Sequence, residues 1–155
     1  MIVYNTKQEI LSIDSDKRGR VRHIEFSIKS DKKDVESFLN ELKNILQDEN
    51  FDIQNDFLLI KSKKEEMQYS TAYTIVQLEF DNADVVECIK ELRIKNYSET
   101  LLDKDDDKPP LLFVFGKIIN NRQIYIKLKI KGEETKKILC VSFHYAKWKM
   151  EFPYT

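Results

Sequence analysis

Along the last third of the chain, three runs rich in Ile, Val, Leu, Phe and Tyr follow one another: LLFVFGKII, IYIKLKIK and ILCVSFHY. They are separated by the polar stretches Asn120-Asn121-Arg122 and residues 132–136, a spacing that predicts an antiparallel meander. The middle run alternates strictly, with Ile124, Ile126, Leu128 and Ile130 on one side and Tyr125, Lys127, Lys129 and Lys131 on the other. One face is therefore expected in the core and the other wet and cationic. In the third run the strongest apolar set is Leu139, Val141 and Phe143, which turns Cys140, Ser142 and His144 outward. If Lys131 pairs with Ile138 across the turn, antiparallel counting sets Tyr125 opposite His144. A histidine, a tyrosine and several lysines then share one surface.

Upstream, residues 2–13 and 20–29 read as a hairpin around the turn-rich stretch 14–19, with His23 on its polar side and Lys17, Arg18, Arg20 and Arg22 as a second basic cluster. Residues 31–47 carry Val35, Phe38, Leu39, Leu42, Ile45 and Leu46 at helical spacing, a stripe expected in the core. A short strand is expected at 57–60 and a polar loop with a helical turn at 61–73. A further strand is expected at 74–80, where Val76, Leu78 and Phe80 alternate with Gln77 and Glu79. Residues 83–94, capped by Asp81 or Asn82, predict a second helix with Val85, Ile89 and Leu92 inward. Strict alternation in the first C-terminal run would put Lys117 on the side of Phe113 and Phe115, so Gly116 is expected to form a bulge. In the tail, Trp148, Met150, Phe152 and Tyr154 alternate and are expected to tuck against the body, leaving Lys147 and Lys149 outward. Since both helices have one apolar stripe and the sheet one apolar face, the fold expected is α+β, with helices packed on one face of an antiparallel sheet.

Length adds that the 155 residues make one domain. Charge adds a polarity that the net value of -1 conceals. From Lys108 onward there are 10 Lys/Arg against 3 Asp/Glu, or +7; ahead of it there are 16 against 24, or -8. A basic sheet on an acidic body suits a polyanion, although the same lysines also serve to solvate an exposed face.

Several chemistries are excluded. Two cysteines and two distant histidines match no standard zinc spacing, and neither Cys88 nor Cys140 reads as half of a disulfide framework. Asp103, Asp105 and Asp107 fit the first ligand positions of a calcium loop, yet Lys108 and Val114 stand where a glycine and a glutamate are needed. Phe115-Gly116-Lys117 lacks the earlier glycine and the Ser/Thr of a phosphate loop. No metal or other cofactor is expected. No apolar run approaches the roughly 18 residues of a membrane span, and the start lacks the layout of a secretory signal, so a cytoplasmic protein without a membrane partner is expected.

The helix with its exit, VVECIKELRIKNY, the strand with its turn, FGKIINNRQIYIKLKI, and the closing strand ILCVSFHY resemble the MqsR-like toxins, relatives of the RelE-type mRNA interferases of toxin-antitoxin pairs. The likeness covers about half the chain, from residue 83 to the end, with Arg122 in place of the family's strand glycine. It implies a RelE-like fold in which 1–29 is an extension of a toxin-like core, and a metal-independent endoribonuclease acting on mRNA with an antitoxin protein as partner. The family's strand tyrosine falls on Tyr125 and the lysine after its Ser-Phe on His144. Its lysine after the turn tyrosine is Ser98 here, and its glutamine ahead of the strand is Leu112.

Cleavage through a 2'-hydroxyl needs proton-transfer groups and cations for the charged phosphorane. His144 suits the acid or base role, with Tyr125 and Lys127 beside it as the catalytic set. Lys129, Arg122, Lys147 and Tyr145 are the expected RNA-binding residues, through phosphate contact and base stacking. The alternative is a non-catalytic module whose basic sheet holds nucleic acid or an acidic protein, which Ser98 and Leu112 favour.

Overall fold

The computed structural model describes residues 9–15, 21–63, 65–102 and 111–155. The side chains of residues 9–15 and 21–25, the basic tip at 16–20 and the acidic run at 103–107 lie outside the described residues, and with them the expectations for His23, Arg22 and the calcium-like loop.

In chain order the elements are β1 (Glu9–Ser15), β2 (Val21–Ile28), α1 (Lys32–Gln47), the short α2 (Ile53–Asp56), β3 (Phe57–Leu59), a 3₁₀ turn at Met67–Tyr69, α3 (Thr71–Leu78), α4 (Asn82–Lys90), a second 3₁₀ turn at Ile94–Asn96, β4 (Tyr97–Leu101), β5 (Leu112–Ile119), β6 (Arg122–Lys131) and β7 (Lys137–Tyr145). The strands form one mixed sheet in the order β1-β2-β4-β5-β6-β7-β3. All pairs are antiparallel except β3 with β7, which run parallel. β2 joins β4 through Ser27 with Leu101 and Ile28 with Thr100.

The helices cover one face, as their stripes require. Val35, Phe38, Leu39 and Leu42 of α1 and Val85, Val86 and Ile89 of α4 share one buried cluster with Phe113, Phe115, Ile124, Ile126, Leu128 and Phe143. Phe38 stacks on Phe113 with centroids 4.1 Å apart, a pairing worth about 0.5–1.5 kcal/mol beyond the area it buries. α4 starts in a reciprocal cap, the Asp81 carboxylate accepting from Asp84 N and the Asp84 carboxylate from Asp81 N. These contacts hold the Asp81 carboxyl below the ordinary aspartate range. The β5–β6 turn has positive φ at Asn120 and Asn121, which matches the twist of the flanking strands.

Four expectations are corrected. Residues 74–80 are not a strand. Ser70 caps a helix by accepting from Tyr73 N, and Glu79 closes it with φ 57°. Thr71 and Thr74 are buried against β7 while Val76 is 71% exposed. Gly116 is not a bulge, because β5 and β6 keep one register from Phe113 with Leu128 to Ile119 with Arg122. Lys117 therefore does point to the helix side, where it pairs with Glu91 beyond the end of α4.

The third correction concerns β7, whose register slips between Lys127 and Leu128. Lys127 faces Ser142 and Leu128 faces Cys140, so Val141 is the extra residue of a bulge. The core set is accordingly Ile138, Cys140, Phe143 and Tyr145, not Leu139, Val141 and Phe143. Cys140 is inward, and burial pushes its thiol strongly upward; Cys88 is raised by burial as well, and both are free. The fourth is Trp148, which is 76% exposed while Met150, Phe152 and Tyr154 pack against the body.

Candidate functional site

On the far side of the bulge the predicted pairing holds: Tyr125 faces His144 directly. Before the bulge the turn pairs Lys131 with Lys137 rather than with Ile138, one residue off the expectation, and the extra Val141 restores the count. The two rings stack with centroids 5.1 Å apart and planes 13° from parallel. Both lie on the face opposite the helices.

His144 is only 8% exposed, and both its ring nitrogens have partners. Nδ1 lies 2.9 Å from the carbonyl oxygen of Tyr145. A carbonyl can only accept, so the hydrogen sits on Nδ1 and proton transfer falls to Nε2. Nε2 lies 3.3 Å from a carboxylate oxygen of Glu65, a partly exposed residue between β3 and the turn at Met67–Tyr69. The next residue, Glu66, pairs with Lys147, and this holds the lysine ammonium above its ordinary range. Two adjacent acidic residues, Glu65 and Glu66, thus reach His144 and Lys147, two of the residues that the sequence singles out. Glu65 itself gave no signal in the sequence beyond belonging to a polar loop.

The other expected residues divide. Lys127, half-buried, follows Tyr125 on the same side of β6 and faces Ser142. Lys129 is on that side too, but it is 5% exposed, not a solvated cation. Arg122 and Tyr145 belong to the helix side. The Tyr145 ring sits in the main core, with the Arg122 guanidinium 3.6 Å above it and Tyr73 edge-on at 6.4 Å, so it is not presented for base stacking. Arg122 is exposed and Lys147 is exposed near Tyr69 and Trp148.

The face is not uniformly wet, because the tail folds back over it. Met150 packs on the small cluster of Leu101, Leu112 and Val114. Phe152 lies over Gly116, where an added Cβ would stand 2.6 Å from its ring. Ser98 donates to the Glu151 carbonyl at 2.7 Å, and Tyr154 donates to the Ser30 carbonyl at 2.6 Å. Tyr97 is fully buried, its hydroxyl accepting from Ser30 N and bonded to Thr100 Oγ1; burial raises its phenol.

No family model, curated protein or solved structure matches the chain. Among the described residues no group of His, Cys, Asp and Glu could hold a metal ion, and no helix is long and apolar enough to cross a membrane.

Proposed function

We propose that the protein is a metal-independent endoribonuclease of the toxin-antitoxin type, in which His144 Nε2 transfers the proton, Tyr125 holds the imidazole plane and Lys127 supplies charge to the phosphate. The observation that carries this reading is the cross-strand stack of Tyr125 on His144 with Nδ1 anchored on a main-chain carbonyl. An imidazole held in one plane and one tautomer has a single atom left for chemistry, which is what general acid-base catalysis requires. RNA supplies both the internal 2'-hydroxyl nucleophile and the polyanion that a basic sheet attracts. The partner antitoxin is an acidic protein segment laid over this sheet or its edge, with an affinity that falls as salt rises.

The test is incubation of purified protein with a defined RNA in EDTA. The wild type leaves cleaved ends, and His144→Ala lowers the rate by roughly 10²–10⁴-fold, the usual worth of one proton-transfer group. Full cleavage by His144→Ala would overturn the mechanism.

A second reading, the non-catalytic binding module, has its own observations. Ser98 spends its hydroxyl on the tail and Leu112 is buried in the small cluster, so both positions where the resembled family carries polar groups are structural here. Binding of RNA or of an acidic partner without cleaved ends would establish it.

A further inference from the structure

Cleavage of RNA by its own 2'-hydroxyl needs two proton-transfer groups, one to accept the nucleophile's proton and one to protonate the departing 5'-oxygen. The residues that sequence reasoning assembled contain one convincing member, His144. A phenol is a poor base near neutral pH, and a lysine serves to hold a phosphate rather than to take its proton. The second group comes from elsewhere in the chain. Glu65 lies after the parallel strand β3, whose pairing with β7 brings the following segment alongside the far end of β7.

Resting on the nuclease reading, we infer that Glu65 is the general base of the site and His144 the general acid. The hydrogen bonding assigns the roles. Nδ1 carries a hydrogen to meet the Tyr145 carbonyl, so Nε2 is the ring atom left to exchange a proton, and it lies 3.3 Å from the Glu65 carboxylate. The inferred roles put the proton to be given on Nε2 and leave the carboxylate to accept one. Glu65 keeps about a third of its side-chain surface open while His144 keeps a tenth, so a phosphodiester entering from solvent meets the carboxylate first.

In the reaction Glu65 takes the proton of the 2'-hydroxyl as the 2'-oxygen bonds to phosphorus. The bond from phosphorus to the 5'-oxygen breaks, and His144 Nε2 gives its proton to that oxygen. The products are a 2',3'-cyclic phosphate and a 5'-hydroxyl, leaving a neutral imidazole and a protonated carboxyl. Once product leaves, the 3.3 Å contact lets the carboxyl return its proton to Nε2 and reset the pair. Among the described residues, Tyr125 stacks on the imidazole, Lys127 follows it on the same side of β6, and Glu66, next to Glu65 in the chain, pairs with Lys147.

The experiment compares the wild type, Glu65→Gln and Glu65→Asp in single-turnover cleavage of a defined RNA across pH in EDTA. Binding is followed separately with the all-deoxy oligonucleotide of the same sequence, which lacks the nucleophile. Glu65→Gln is expected to slow cleavage by roughly 10²-fold or more and to abolish the acidic limb of the pH profile, where rate rises with carboxylate ionisation. Its binding of the deoxy probe stays within about twofold and its urea midpoint is unchanged, while Glu65→Asp keeps the acidic limb. Cleavage at the wild-type rate by Glu65→Gln overturns the inference while leaving the nuclease reading intact. An acidic limb that survives in Glu65→Gln while the basic limb moves also overturns it, making Glu65 a positioning residue for His144. A wild type that binds the probe and does not cleave RNA overturns the nuclease reading and the base role together.

Discussion

The two faces of the β5–β6–β7 meander are built by different rules. Toward the helices, Phe115, Ile126, Leu128 and Phe143 are fully buried among α1 and α4. Each contributes area, and another apolar side chain of similar volume would serve nearly as well. On the opposite face, Gly116, Tyr125 and His144 form one row across the three strands. There each residue type is required by one specific neighbour: Gly116 by Phe152, His144 by Tyr125, the Tyr145 carbonyl and Glu65. The first face is redundant and the second is particular, so damage to the first appears as lost stability and damage to the second as lost coupling between pairs.

The sharpest way to test that division is Phe115→Ala. The ring is fully buried and packs with Phe38 and Tyr97 at centroid distances of 6.1 and 6.0 Å. Its removal leaves a cavity, and the expected loss is about 3–5 kcal/mol in urea unfolding. A loss below about 1 kcal/mol would show that this face is not the core of the fold.

A smaller effect is expected at the sheet edge that α3 covers. β3 pairs with β7 only from Ile138 to Cys140, and beyond that point the threonines of α3 take over. Thr71 Oγ1 accepts from Phe143 N and Thr74 Oγ1 from Tyr145 N, both at 3.1 Å. Thr71→Val and Thr74→Val keep the shape and orphan a buried N–H, at about 1–3 kcal/mol each. Amide exchange at residues 143 and 145 should quicken, each in its own variant. Val76→Thr on the exposed side of α3 should change stability by less than about 0.5 kcal/mol.

These threonines also show where the sequence was legible. Period-two alternation located β6 and its faces, and it also runs unbroken through β5, against the bulge expected at Gly116. In residues 74–80 the same pattern misled, since Val76, Leu78 and Phe80 alternate while the helix is specified by its Ser70 cap and by Thr71 and Thr74 three residues apart. In β7 two apolar sets compete, and the bulge at Val141 resolves them by burying Ile138 and Cys140 with one phase and Phe143 and Tyr145 with the other. Tyr125 opposite His144 was readable because the miscounted turn and the bulge offset each other. Glu65 was not readable at all. Its position depends on a parallel pairing between strands some 80 residues apart, and a lone glutamate in a polar loop carries no periodicity to betray that.

An effect smaller than that of the buried threonines tests the particular face at Gly116. An alanine there would gain about 0.4–1 kcal/mol from its less flexible unfolded chain if the site were open. It is not open: the new Cβ would lie 2.6 Å from Phe152 Cζ and 2.9 Å from Met150 Sδ. Both are far ends of side chains on the tail and can swing away, so the overpacking penalty falls at the lower end of the usual 1–3 kcal/mol. Gly116→Ala should therefore destabilise by only about 0.5–1 kcal/mol in urea unfolding. In a Phe152→Ala background the clash with the ring is gone, and the same change should become neutral or slightly stabilising, a coupling of about 1 kcal/mol between residues 36 positions apart. Additive effects would mean that the tail does not lie on the sheet at Gly116, and the row that ends in Tyr125 and His144 would then be open from that side.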